Sequence, residues 1–207
     1  MEIEHIKRKF HNRTPRVLGS NEFYRFSVLL PLVEIDDEIH ILFEVRSEKL
    51  RRQPGDICFP GGKVDKEDKT EQHTAIRETC EELGIKEEHL SDIYPMDYIV
   101  SSFGTFIFPY LAVLEKKADI KPNPAEVAET FTVPLSFFMN NEPNVYKVGF
   151  TIEPEEDFPI DLIAGGENYN WQTRKLDEYF YFYEDRVIWG LTAKILKHFT
   201  DEISDMN

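Results

Sequence analysis

The chain predicts an α/β fold, a mixed sheet flanked by helices, on three observations. Apolar runs of strand length recur at Tyr24–Glu34, Ile39–Val45 and Ile99–Leu114. A glycine turn at Gly61-Gly62 leads into a segment of helical spacing that begins after Asp68 or Thr70 and ends at Gly84. Near the C-terminus a strand-like run, Tyr179–Tyr183, precedes an amphipathic stretch. Strands interleaved with helices must cover both faces of a sheet to bury their apolar sides, which is the layered α/β solution.

The elements can be taken in order. Ile3, Ile6 and Phe10 stand at helical spacing and predict a short amphipathic helix within residues 1–12, part of an N-terminal helical extension over 1–20. Asp36-Asp37 makes the turn between the first two strands. Asp68 or Thr70 caps the next helix, and Asp68 with Glu71 has the spacing of a capping box. Ile76, Thr79, Cys80 and Leu83 form its apolar stripe, and Gly84 ends it. Ile99–Leu114 is broken by Gly104 and Pro109, and Pro122, Pro124 and Pro134 punctuate the next stretch. Residues 186–200 close the chain as a helix, with Ile188, Leu191, Ile195, Leu196 and Phe199 on its buried stripe.

Bulk composition narrows the function. The 207 residues suit one domain, 1–207, and 41% apolar residues with sixteen Phe allow a sizeable core. A net charge of -15 argues against general nucleic-acid binding, which needs a basic footprint. An anionic ligand must therefore be held by local cations and metal. No run approaches the roughly 18 apolar residues of a membrane span. Cys58 and Cys80 form no disulfide scaffold and read as small buried hydrophobes in a reducing compartment. Neither the start, Met1-Glu2-Ile3-Glu4, nor the end, Asp205-Met206-Asn207, carries a targeting signal, so the expected location is cytoplasmic.

The segment after the glycine turn carries the chemistry. Glu78, Glu81 and Glu82 crowd one side of the helix within a sector of about 100°. Glu78 and Glu82 are a like-charged i, i+4 pair, which costs an isolated helix about 0.2–0.5 kcal/mol. A divalent cation turns that repulsion into attraction, and hard carboxylate oxygens suit Mg²⁺ or Mn²⁺.

The run Arg77-Glu78-Thr79-Cys80-Glu81-Glu82-Leu83-Gly84-Ile85, after Gly61-Gly62, resembles the Nudix box. The box's usual upstream Glu falls on Asp68, and Arg77 arrives one residue late. The resemblance implies the Nudix α/β/α sandwich, with the box as a loop–helix–loop beside a mixed sheet, and hydrolysis of a nucleoside diphosphate linked to another group. Upstream, Arg46, Ser47, Arg51, Gly55, Phe59, Pro60, Gly61 and Gly62 are similar to the added signature of the coenzyme A diphosphatase subgroup. The subgroup's Leu-Leu-Thr opening reads Leu42-Phe43-Glu44 here. Asn123–Glu129 and Ile188–Ala193 extend the likeness.

The resemblance implies a metal-dependent diphosphatase that splits coenzyme A or its derivatives into 3′,5′-ADP and 4′-phosphopantetheine. Glu78, Glu82 and Glu81 are the expected metal ligands, and Glu81 and Glu82 are also counted as catalytic. Arg77 orients a glutamate, and Glu126 or Glu129 serves as a loop general base. Gly61 and Gly62 offer backbone to metal and substrate, while Arg46 and Arg51 meet the substrate's 3′-phosphate through a fixed guanidinium fork. The expected partner is a small coenzyme A-like substrate, with no nucleic acid and no membrane, and a homodimer is admitted. Two alternatives stay open: a Nudix hydrolase of ADP-ribose, NADH or a dinucleoside polyphosphate, and a non-catalytic Nudix nucleotide-binding module.

Overall fold

A computed structural model describes residues 2–205; Met1, Met206 and Asn207, and with them part of the reading of the two termini, lie outside the described residues. The elements in chain order are α1 (Ile3–Phe10), β1 (Tyr24–Ile35), β2 (Glu38–Arg46), β3 (Ile57–Cys58), β4 (Gly61–Lys63), α2 (Glu71–Leu83), β5 (Leu90–Pro95) and β6 (Ile99–Ser101). There follow β7 (Thr105–Leu114), β8 (Val127–Pro134), α3 (Leu135–Asn140), β9 (Asn144–Phe150), β10 (Arg174–Tyr183), β11 (Arg186–Trp189) and α4 (Gly190–Ser204).

The main sheet runs β3-β2-β1-β7-β5, with β4 on β1, β6 on β7 and β8 on β2. It is mixed: β1 and β7 are parallel over Tyr24–Leu32, and the other pairs are antiparallel. The β1–β2 hairpin turns on Asp36 and Asp37, both at positive φ, the conformation that matches the strands' own twist.

Side chains alternate across the sheet, so β1 and β2 feed two cores. Leu29 and Leu42 pack with Ala75 and Leu83 of α2. Leu30, Ile41 and Phe43 pack on the other side with Ile195, Leu196 and Phe199 of α4. Burial on both faces explains why these strands read as nearly continuous apolar runs. A second sheet, β11-β10-β9, lays Tyr181 and Ile188 onto the α4 side. This two-faced arrangement is the predicted α/β architecture.

Several local expectations change. The predicted helix over residues 186–200 splits: β-branched Val187 and Ile188 complete a hairpin with β10, and the helix starts only at Gly190. Pro109 does not break its strand; it sits inside β7, where its carbonyl accepts from the Met96 N–H at 3.0 Å. The Asp68–Glu71 capping box does not form. Thr70 is the cap, its hydroxyl accepting from the His73 N–H at 3.1 Å, because Asp68 is committed to Arg77.

Candidate active site

The bend at Gly61-Gly62 is held as short strand β4 against β1, with Gly61 opposite Val28 and Gly62 opposite Ser27. Gly61 has φ +153, and a Cβ there would lie 2.3 Å from the Ser27 carbonyl oxygen. At Gly62 a Cβ would lie 2.3 Å from Cδ of Glu78. Glycine is thus required twice, once for backbone packing and once so that a box carboxylate can rest on the bend.

Helix α2 is pinned beside that bend at its C-terminal end. Gly84 ends it in the left-handed conformation, and its N–H donates to the Cys80 carbonyl. The Lys121 and Asn123 N–H groups donate to the carbonyls of Leu83 and Glu82, both at 2.9 Å. These bonds satisfy open carbonyls of the helix and dock the loop that carries Glu126.

Within the resulting cleft of about 500 Å³ lie Gly61, Gly62, Glu78, Glu82, Glu126 and Arg46. Glu82 is only 5% exposed, and its Oε2 accepts the Gly61 N–H at 2.7 Å. Burial, then the nearby charge of Glu44, pushes its carboxyl up to about 9, and the Gly61 N–H opposes this. Burial also raises Glu78, against the pull of Arg77, whose Nη2 lies 2.8 Å away. Arg77 is a hub: it meets both oxygens of Asp68 at 3.1 and 2.9 Å and reaches Glu81 at 3.2 Å. Asp68 is 2% exposed at its side chain, and its bond to Arg77 holds its carboxyl well below the usual range.

Other predicted residues fall outside this grouping. Glu81 lies on the solvent side of α2, 55% exposed, against Arg77. Glu129 pairs with Arg186 at 2.9 Å, which in turn stacks over Phe131, beside a neighbouring pocket of about 410 Å³. Arg51 is exposed and does not line the cleft, whereas Arg46 does, with a buried Nε that has no partner among the described residues. Glu126 is half-buried and accepts from Asn123 Nδ2 at 3.3 Å.

Sequence reasoning missed Glu44. It sits on β2, 1% exposed, with the Cys58 thiol donating to Oε1 at 3.4 Å and Oε2 unpartnered among the described residues. Burial pushes its carboxyl up to about 7, opposed by the Cys58 bond and the Arg46 charge. A lone carboxylate inside an apolar, doubly buried strand was the available signal. Cys58 is therefore a polar neighbour of the site rather than plain filler, and both cysteines are half-buried and free.

Arginine-braced glutamates thus sit beside a tight glycine bend, on a helix packed against a mixed sheet, in the arrangement that the Nudix resemblance implies. Residues 24–147 match the family model described as NUDIX domain, more than half of the chain. The chain belongs to the Nudix family and is a Nudix hydrolase. It is 30% identical over 189 residues to "Uncharacterized Nudix hydrolase NudL" of Photorhabdus laumondii, covering 91% of this chain and 89% of that protein. It is 38% identical over 129 residues to "Peroxisomal coenzyme A diphosphatase NUDT7" of Mus musculus. That match covers 62% of this chain and spans about half, 52%, of the mouse protein. Among solved structures, a MutT/nudix family protein from Enterococcus faecalis superposes with a TM-score of 0.50 at 14% identity, over 99% of this chain and 70% of that one, a likeness of fold alone.

Nudix hydrolases use divalent metal ions. Among the described residues no three Asp, Glu, His or Cys side chains already close on one point. The donor chemistry nonetheless fits a hard divalent cation: clustered carboxylates pushed toward protonation by their own burial and mutual charge, and an orphaned buried oxygen on Glu44. Small octahedral cations retain waters and take substrate phosphates as ligands, so a full protein cage is not needed. No helix among the described residues is long and apolar enough to cross a membrane.

Proposed function

We propose that this protein hydrolyses the pyrophosphate of coenzyme A or its derivatives, releasing 3′,5′-ADP and 4′-phosphopantetheine. One observation carries the reading: Arg46, at a signature position, shares a cleft with Glu78, Glu82 and Gly62. The Arg46 guanidinium, whose Nη2 reaches the Arg52 carbonyl at 3.5 Å, carries a fixed positive charge on the cleft wall suited to a phosphate beyond the pyrophosphate. The name of the mouse relative, a coenzyme A diphosphatase, supports the same substrate.

Glu78 and Glu82 would hold Mg²⁺ or Mn²⁺, with a carbonyl of the Gly61-Gly62 bend. A cation held there would supply neutralisation of phosphoryl oxygens and a lowered pKa for bound water. The Gly61 N–H fixes the Glu82 carboxylate, and Arg77 braces Glu78 from behind. Glu126, in the cleft and oriented by Asn123, takes the proton of the attacking water; Glu129 is engaged with Arg186 instead. Water oxygen bonds to one phosphorus as the bridging P–O bond breaks, and the bridging oxygen leaves with the other phosphoryl group. Arg46, Arg52 and Lys63 line the same cleft and offset the protein's overall negative charge at the point of substrate entry. Residues 1–20 and α4 belong to this same domain in our reading, and two free cysteines favour a reducing compartment such as the cytoplasm.

The test compares kcat/KM for coenzyme A, dephospho-coenzyme A and ADP-ribose with Mg²⁺ or Mn²⁺, with products identified by mass. Coenzyme A is expected to be preferred by at least about tenfold, the worth of one charge-assisted phosphate contact of about 1.5 kcal/mol. A clear preference for ADP-ribose overturns the substrate assignment.

A further inference from the structure

Glu44 occupies a place where the fold calls for an apolar side chain. On β2, Leu42 faces the α2 core while Ile41 and Phe43 face the other, so Glu44 continues the Leu42 face toward the glycine bend. It stands opposite Cys58 in register, and that cysteine lines the cleft. The thiol supplies one bond to Oε1, a weak donor, and Oε2 has no partner among the described residues. A buried carboxylate oxygen without a partner is costly, and natural sites that retain one commonly pair it with a cation. The charged groups facing it are Glu82 and Glu126, both acids of the cleft, and Arg46, whose charge acts on it while its Nη2 donates to the Arg52 carbonyl at 3.5 Å rather than to Glu44. Among the described residues no cationic side chain bonds that oxygen.

We infer that Glu44 is a further acidic residue of the divalent-cation site, contributed by the sheet rather than by the box helix, and that it strengthens cation binding from behind Glu82. The inference rests on the reading that Glu78 and Glu82 hold that cation. Glu44 acts here as a positioning residue: removing its charge weakens the grip on the cation without touching substrate.

The experiment is a Mn²⁺ titration of the purified full chain, followed by the electron paramagnetic resonance signal of free Mn²⁺, for wild type, Glu44→Gln, Glu44→Thr and Glu82→Gln. Threonine suits a strand position and serves as the second variant should the glutamine form not fold. Both Glu44 variants are expected to bind Mn²⁺ about 10–100-fold more weakly, the usual loss when a supporting group of a metal site is removed. Their unfolding midpoints without metal stay equal to or above wild type, which a merely structural residue would not show. Wild-type Mn²⁺ affinity in a folded Glu44 variant, with affinity lost in Glu82→Gln, overturns this inference alone. Unchanged affinity in Glu82→Gln as well overturns the cation reading beneath it. Failure of both Glu44 variants to fold assigns the residue to the core and also overturns the inference.

Discussion

Adjacent glycines at the bend should respond to the same substitution in opposite ways. At Gly61 an added methyl meets backbone: the Ser27 carbonyl oxygen at 2.3 Å and Val28 Cα at 2.6 Å, with φ at +153. Neither neighbour can swing aside, so the β4–β1 pairing must give. Backbone strain of about 1–3 kcal/mol and overpacking of about 1–3 kcal/mol together place Gly61→Ala at roughly 2–6 kcal/mol of lost stability. At Gly62 the obstacle is the far end of one side chain, the Glu78 carboxylate, at 2.3 to 2.6 Å. That carboxylate can retreat by about 1 Å to ordinary contact, and φ there carries no left-handed requirement, so Gly62→Ala should change stability by less than about 1 kcal/mol. The retreat, however, pulls Glu78 off the bend, and a misplacement of about 1 Å in such a site can cost about 10²-fold in rate. Urea melts of the metal-free proteins and steady-state turnover of coenzyme A measure the two effects separately. Equal destabilisation by the two variants, or full turnover in Gly62→Ala, would refute the view that the first glycine serves the fold and the second serves the carboxylate.

The same geometry sets three further outcomes. Glu82→Gln should lower kcat on the order of 10²-fold or more, about 2.7 kcal/mol, while the amide oxygen keeps the Gly61 N–H bond and the fold; turnover within a few-fold of wild type removes Glu82 from the mechanism. The metal-free protein should lose stability as pH rises: Glu44 and Glu82 titrate near 7 and 9 when folded against 4.5 when free, so between about pH 5 and 9 the native state holds more protons and each pH step favours unfolding. Urea midpoints in the presence of a chelator test this, and a midpoint that climbs across that window contradicts it. Arg46→Ala should cut kcat/KM for coenzyme A by about 10–100-fold, the loss of a charged contact of about 1.5–3 kcal/mol, with dephospho-coenzyme A changed by less than about threefold; equal losses on both substrates would detach Arg46 from the 3′-phosphate.

How much of the molecule is legible in the sequence depends on how local each signal is. The hairpin at Asp36-Asp37, the helix capped by Thr70 and ended by Gly84, and the two-core strands are written in short-range patterns of turn residues and apolar spacing. Ile188 reads as helical because it stands at helical spacing from Leu191 and Ile195, whereas its true partner is Tyr181 across the β10–β11 hairpin. The apolar stripe is the same in both readings, and only the pairing with β10 separates them. The division among the box glutamates is hidden for a different reason. A sector of about 100° holds all three, yet the cleft covers only part of it, so Glu82 is buried and Glu81 is exposed. Helical spacing states which side chains share a face, but the sheet edge and the loop bearing Glu126 decide which of them lose water. Asp68 shows the same limit: its position suggests a cap, and only the folded loop reveals it as the brace of Arg77.

The charge distribution ties these pieces together. A chain with net charge -15 must recruit a substrate that is itself a polyanion, and its cleft gathers still more carboxylates. Burial raises the carboxyls of Glu78 and Glu82, and the nearby charge of Glu44 adds to the rise at Glu82, while Arg46, Arg52 and Lys63 are the basic side chains that line the cleft. In the proposed function a divalent cation would compete with protons for Glu78 and Glu82 and add positive charge near the pyrophosphate, so metal affinity and substrate affinity would be coupled through the same carboxylates. The buried position of Glu82, its bond to the bend, and the arginine behind Glu78 are therefore not separate features of stability and catalysis. In the proposed function they hold Glu78 and Glu82 where a bound cation would offset their charge.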